Sequence, residues 1–288
     1  MKKTTQFRRL LEQKEILVLP GVYDCISVKL VEQAGFKAAA VTGAGLAASV
    51  LGYPDVGLTT MSEVLTQTRN MVRAVNIPIF ADCDTGYGNP LNVYRTIQEF
   101  EEAGVGGLFI EDQIWPKRCG HFEKKQLISK EDMIQKIKAA LDARRDPDLV
   151  IMARTDARAV YGLDEAIARA RAYVEAGADM IFIEAPQSVE ELRKIAKSVN
   201  VPTFANMVEG GKTPILSVKE LEEMGFKVAS FSGSAQKMAI RAMSELLNGL
   251  KTTGRLGDFV DKIATLSERS ELLGLPKYYD MELKYGAR

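Results

Sequence analysis

The chain has 288 residues, with 38 Lys+Arg against 38 Asp+Glu, so its formal net charge is zero and its pI is about 6.7. That balance argues against a dedicated nucleic-acid binder, which carries a basic excess. A hydrophobic content of 46% argues against an acidic disordered chain. Cys25, Cys83 and Cys119 are too widely spaced for a disulfide framework or a zinc knuckle and suit a reducing cytoplasm. The charged N-terminus lacks the apolar stretch of a secretory signal, and no apolar run approaches ~18 residues. A soluble cytoplasmic protein is the expectation.

In chain order, short apolar runs alternate with longer stretches of helical period. The run 16–19 precedes a helix near 24–34, 38–42 precedes 62–74, and 77–81 precedes 91–103. The pattern continues with 107–110 before 130–143, 149–153 before 164–176, and 180–183 before 188–198. It closes with 202–205 before 217–224 and 228–231 before 234–249. Each run is apolar on both faces, as expected of strands buried on both sides in a parallel sheet. EQAGFKAAAV, EEAGVGGLFI, EAGADMIFIE and EEMGFKVASF form a weak repeat, each closing a helix at Gly35, Gly104, Gly177 or Gly225 just before a strand. The eight units predict one (β/α)₈ TIM barrel over about 15–250, in preference to a doubly wound sheet. A helical extension over about 251–288 carries Tyr278, Tyr279 and Tyr285 and is placed against a neighbouring subunit.

A parallel barrel carries its chemistry at the carboxyl ends of its strands. Those ends read Thr42, Asp82, Asp84, Glu111, Asp112, Arg154, Asp156, Glu184 and Asn206, an acidic cup with one arginine. Asp82 and Asp84 are two apart, so if the strand geometry persists both point the same way. With Glu111 they suit a hard divalent cation, although Asp and Glu also serve as plain turn residues there. A lone histidine leaves tetrahedral zinc without ligands.

The segment WPKRCGH is the most pointed local signal. Cys119 lies among Lys117, Arg118 and His121, and nearby positive charge favours thiolate. Cys119 is therefore a candidate nucleophile or proton carrier; a basic surface turn with an incidental cysteine is the plain alternative. Cys25 and Cys83 read as small packing residues. GAGLAA at 43–48 imitates a dinucleotide fingerprint, but the acidic partner would fall near Glu63, inside a helix.

The combination TGAG, LGYPD, DCDTGYG, EDQIWPKRCGH, ARTDAR, IEAP and ANMVEGGKTP resembles the isocitrate lyase/phosphoenolpyruvate mutase superfamily, from about Gly21 to about Arg269. The resemblance implies a barrel whose last helix is swapped between subunits, a homotetramer and a Mg²⁺ site, with Mn²⁺ or Fe²⁺ as alternative ions. It places Asp82 and Asp84 on the metal, with Asp55, Glu111 and Asp112 nearby. It assigns Thr42, Gly43 and Ala44 to the hydroxy-acid end of the substrate, and Gly120, Arg154, Glu184, Asn206 and Arg269 to the rest of substrate binding and catalysis. The CGH triplet resembles the carbon–carbon lyases, in which Cys119, polarised by His121, would protonate the departing carbanion; Arg154 and Glu111 join it as catalytic candidates. Thr42-Gly43-Ala44, and Lys237 where methylisocitrate lyases usually carry an Arg, favour a 2,3-dimethylmalate-type substrate over 2-methylisocitrate. A carboxyphosphonoenolpyruvate-type phosphonomutase is the alternative from a different reaction class.

Overall fold

The eight apolar runs become eight parallel strands. In the computed structural model, which describes residues 1–286, they are β1 (Leu17–Val22), β2 (Ala39–Val41), β3 (Ile79–Asp82), β4 (Gly107–Glu111), β5 (Val150–Thr155), β6 (Met180–Ile183), β7 (Thr203–Asn206) and β8 (Val228–Phe231). Each pairs with the next and β8 returns to β1, closing the barrel. The helices between them begin at side-chain caps such as Asp24, Thr60, Asn89 and Ser217, each of which accepts a backbone N–H of the first turn. The four glycines of the sequence repeat have φ of +86°, +85°, +106° and +104°, the left-handed conformation that ends a helix.

Period-two alternation sorts the strand residues into two cores. One set, including Leu17, Leu19, Ala40, Phe80, Phe109, Met152, Phe182, Phe204 and Val228, fills the barrel interior. The other, including Ala81, Leu108, Ile110, Ile151, Ala153 and Ile181, packs outward under the helices. Phe80 is fully buried, with ring centroids 5.2 Å from Phe7, 6.2 Å from Phe109 and 6.4 Å from Phe204. Phe80→Ala is expected to cost about 3–5 kcal/mol through the cavity it leaves. The urea midpoint measures this; an unchanged midpoint would refute the packing role.

Phe7 belongs to a helix that sequence reading passed over, Lys3–Glu12. Its apolar stripe is only Phe7, Leu10 and Leu11 in a strongly charged segment, too thin a signal to notice. Tertiary contacts hold it: Phe7 is inserted against Phe80, Lys3 Nζ donates to Val75 O at 2.7 Å, and Arg8 pairs with Asp179 at 3.1 Å.

The chain divides into two compact units, Met1–Gln236 and the segment from Lys237 onward. The division falls inside the helix Ser234–Thr253, earlier than the expected boundary near 250, and no residue of that helix is buried. The second unit continues through helices Leu266–Leu272 and Leu275–Tyr285, also without buried residues. The last two residues of the expected extension lie outside the described residues. No helix among the described residues is long and apolar enough to cross a membrane.

Candidate active site at the carboxyl ends of the strands

The alternation that builds the interior also selects the site. Two residues beyond inward-facing Ala40, Phe80, Phe109, Met152, Phe182 and Phe204 come Thr42, Asp82, Glu111, Arg154, Glu184 and Asn206. Asp112 is one residue out of this register. It faces the helix Leu163–Glu175, where it accepts from Thr155 Oγ1 at 2.7 Å, Tyr173 Oη at 2.9 Å, Arg169 Nη1 at 3.0 Å and the Asp156 N–H at 3.0 Å. Asp112 is thus a fully engaged anchor beneath the site.

Asp82 and Asp84 do converge, by a different route from the one the spacing suggests. β3 ends at Asp82, and Asp84 turns back with φ +48°, so strand geometry does not carry between them. Asp82 Oδ1 accepts the Asp84 N–H and Oδ2 accepts the Gly43 N–H, both at 3.0 Å. Gly43 must approach this closely: a Cβ there would lie 2.7 Å from Asp82 Oδ2. Thr42 caps the next turn by accepting the Gly45 N–H at 3.2 Å, and Ala44 is exposed beside it.

Lys117 is only 3% exposed and lies 2.7 Å from Asp84 Oδ1 and 2.6 Å from Asp55 Oδ1. Burial pulls its ammonium down, but Asp84, Asp55, Glu111 and Asp82 more than reverse this and hold it well above the ordinary lysine value. Burial raises the Asp84 carboxyl to about 7, with Lys117 pulling it down and Asp82 and Asp55 pushing it up. Neither oxygen of Asp84 or of Glu111 receives a hydrogen bond of good geometry, although all four are buried. Their contacts are ion pairs with Lys117 and Arg154, and with Asp82 these buried carboxylates form a hard donor set that fits a divalent cation. No three His, Cys, Asp or Glu among the described residues form a ready-made cage.

Arg154, at the end of β5, is buried among three carboxylates. Its Nε lies 2.9 Å from Asp156 and 3.3 Å from Glu111, and its Nη2 lies 3.4 Å from Glu184. The Phe182 ring lies 5.1 Å beneath its guanidinium. Asp156 is held at about 2: burial would raise it, but Arg154 and Lys125 overcome that.

The Cys119 loop reaches this cluster. Gln113 clamps it by donating to Arg118 O at 2.8 Å and accepting the Arg118 N–H at 3.0 Å, and the Cys119 N–H donates to Asp55 O at 3.0 Å. Gly120 packs directly on Glu184 and Arg154; a Cβ there would collide with Glu184 Cγ and lie 2.6 Å from Arg154 Nη2. The expectation of a thiolate is corrected. Burial, with help from Asp55 and Glu184, raises the Cys119 thiol against the His121 backbone N–H and Arg154. Arg118 is exposed and Lys117 is committed to carboxylates, so the flanking charges do not serve the sulfur. His121 Nδ1 accepts the Lys212 N–H at 3.1 Å, which puts the ring proton on Nε2, 3.7 Å from Glu184. Burial lowers the imidazole below its ordinary value, so it is neutral near pH 7.

Of the remaining candidates, Asn206 is held by Ser232 Oγ at 2.8 Å, while Arg269 lies in the second unit on the helix Leu266–Leu272. GAGLAA forms the short helix Gly43–Leu46 running into a π-turn, Ala47–Leu51. Sequence reading missed Tyr87, whose buried hydroxyl has no hydrogen-bond partner, and Lys125, whose ammonium pairs with Asp156 at 2.8 Å. Neither has a spacing signal; both are brought in by loops.

A family model described as phosphoenolpyruvate phosphomutase matches residues 7–251. A 2,3-dimethylmalate lyase of Eubacterium barkeri is 45% identical over 285 residues, covering 99% of each chain. A 2-methylisocitrate lyase of Aeropyrum pernix is 44% identical over 275 residues, covering 96% of this chain and 87% of its own. Among solved structures, a 2,3-dimethylmalate lyase superposes with TM-score 0.94 at 37% identity, over 99% of this chain and 96% of that one. A phosphonopyruvate hydrolase in complex with oxalate and Mg²⁺ superposes with TM-score 0.90 at 30% identity, over 99% of both.

Proposed function

The chain belongs to the phosphoenolpyruvate mutase/isocitrate lyase superfamily and is a carbon–carbon lyase, and we propose that it cleaves a substituted malate of the 2,3-dimethylmalate type to pyruvate and propionate. The observation that carries this reading is the seating of the Cys119 loop: Gly120 lies against Glu184 and Arg154, which brings a protonated thiol to an acidic cup.

The reaction breaks C2–C3 of the hydroxy acid. The hydroxyl proton leaves to a carboxylate of the cup, C2 becomes the pyruvate carbonyl, and the bonding pair passes to C3 as an enolate-like carboxylate. Thr42, Gly43 and Ala44 border the hydroxy-acid end, beside Asp82. Arg154 offers a cation to charge that grows on the substrate, where stabilisation lowers the barrier. Cys119 delivers its S–H proton to C3, and the His121 backbone N–H steadies the sulfur as it gains charge. Mg²⁺ held by Asp82 and Asp84, with Glu111 beside them, would supply Lewis-acid polarisation of the α-hydroxy carboxylate.

The assembly we assign is a cytoplasmic homotetramer with the C-terminal helices swapped between subunits. The second unit supports this by exposing Met238, Leu247, Leu266 and Leu283 by 61–84%, an apolar set that a partner would cover. The free cysteines accord with a reducing compartment.

Pyruvate release tests the reading, with purified protein, Mg²⁺ and 2,3-dimethylmalate, 2-methylmalate, 2-methylisocitrate or isocitrate in parallel. Dominant turnover of an alkylmalate is expected. Dominant turnover of 2-methylisocitrate would transfer the assignment to that substrate. Absence of pyruvate, with phosphonate rearrangement visible by phosphorus NMR, would replace the lyase by a phosphonomutase.

A further inference from the structure

We propose that Lys125 is a positioning residue for Cys119, pinning the loop that carries the proton donor to the same carboxylate that orients Arg154. The proposal rests on the lyase reading above only for its kinetic arm. Lys125 lies downstream of Cys119 in the same loop, yet its side chain is 2% exposed. Its ammonium donates to two acceptors, Gly120 O and, at 2.8 Å, Asp156 Oδ1. Gly120 directly follows Cys119, so the first of these bonds acts one peptide from the thiol.

The second bond connects that peptide to the barrel. Asp156 also accepts from Arg154, with Nε at 2.9 Å and Nη2 at 3.2 Å. The Asp156 N–H is fixed by Asp112, which Thr155, Tyr173 and Arg169 lock in turn. An unbroken series of hydrogen bonds thus runs from the helix Leu163–Glu175, through Asp112 and Asp156, to the neighbour of the catalytic sulfur. Burying an ammonium is costly unless it is well paired. The neutral tethers from Gln113 and through the Cys119 N–H hold residues 118 and 119, upstream of the Gly120 carbonyl that Lys125 takes, so they do not replace it. What Lys125 adds is a common reference: acid and cationic clamp hang from one carboxylate and keep their spacing.

Lys125→Met tests this in the intact protein with two readouts. The sole tryptophan, Trp115, sits on the same loop with its ring 6.2 Å from Tyr87, and acrylamide quenching reports how firmly that loop is seated. Trp115 is 40% exposed in the seated loop, so a modest but measurable rise in quenching is expected. With 2,3-dimethylmalate and Mg²⁺, kcat is expected to fall about 10²-fold, as for a catalytic group displaced by about 1 Å, while KM changes far less. Lys125→Arg is expected to recover most of both. A lower melting temperature with quenching and kcat intact would overturn the proposal and leave Lys125 a stabilising ion pair. If Lys125→Met does not fold, Lys125→Gln, which keeps a donor without the charge, carries the same readings. Should the wild type release no pyruvate at all, the lyase reading fails, while quenching alone still decides whether Lys125 seats the loop.

Discussion

Cys119→Ser is expected to lower kcat by about 10²–10⁴-fold, the usual worth of a positioned general acid, with little change in KM. The thiol suits this role because it is not a thiolate. Burial raises it above its ordinary value and Asp55 and Glu184 push the same way, so Cys119 holds its proton through neutral pH. The acidic form is lost only as pH rises through that elevated value, so the alkaline fall in wild-type kcat should lie above the ordinary cysteine range. A serine hydroxyl keeps its proton throughout, and the residual activity of the variant should show no such limb. Steady-state kinetics from pH 6 upward checks both points. An unchanged kcat would remove Cys119 from the mechanism.

Gly120→Ala is expected to reduce kcat/KM by about 10²-fold or more, and by another route. The new methyl group would enter the space of Glu184 Cγ and Arg154 Nη2, both buried and paired, so the loop must lift or the clamp must shift. Either movement affects binding as well as proton delivery. KM should therefore rise, unlike in Cys119→Ser. Gly120 is not among the residues with positive φ, so the cost is steric overpacking rather than left-handed backbone strain, and the melting temperature should fall along with the activity. Full activity in this variant would mean that the loop does not sit on Glu184 and Arg154 during turnover.

The barrel was legible because its signal is local and repeated. A run apolar on both faces, followed by a helical period closed at Gly35, Gly104, Gly177 or Gly225, locates strands and helices without any long-range information. The N-terminal helix was not legible, since Phe7 acquires meaning only against Phe80. In the site, period two separates Glu111 from Asp112 once the inward phase is known, but both faces of these strands are apolar and the sequence leaves that phase open. Asp112 therefore read as a member of the cup until closure of the barrel turned it toward Arg169 and Tyr173.

The sequence by itself determined the barrel, the strand ends that bear charge, and the cysteine loop with its family resemblance. These depend on periodicity and on contiguous motifs. Only the tertiary structure decided the protonation of Cys119, the capture of Lys117 by Asp55 and Asp84, and the bridge from Lys125 to Asp156. The physical reason is that electrostatics inside a protein follow burial and through-space distance. Lys117 and Arg118 are adjacent to the thiol's segment in sequence, yet one is spent on carboxylates and the other faces solvent. Burial, with a smaller push from Asp55 and Glu184, sets the proton affinity in their place.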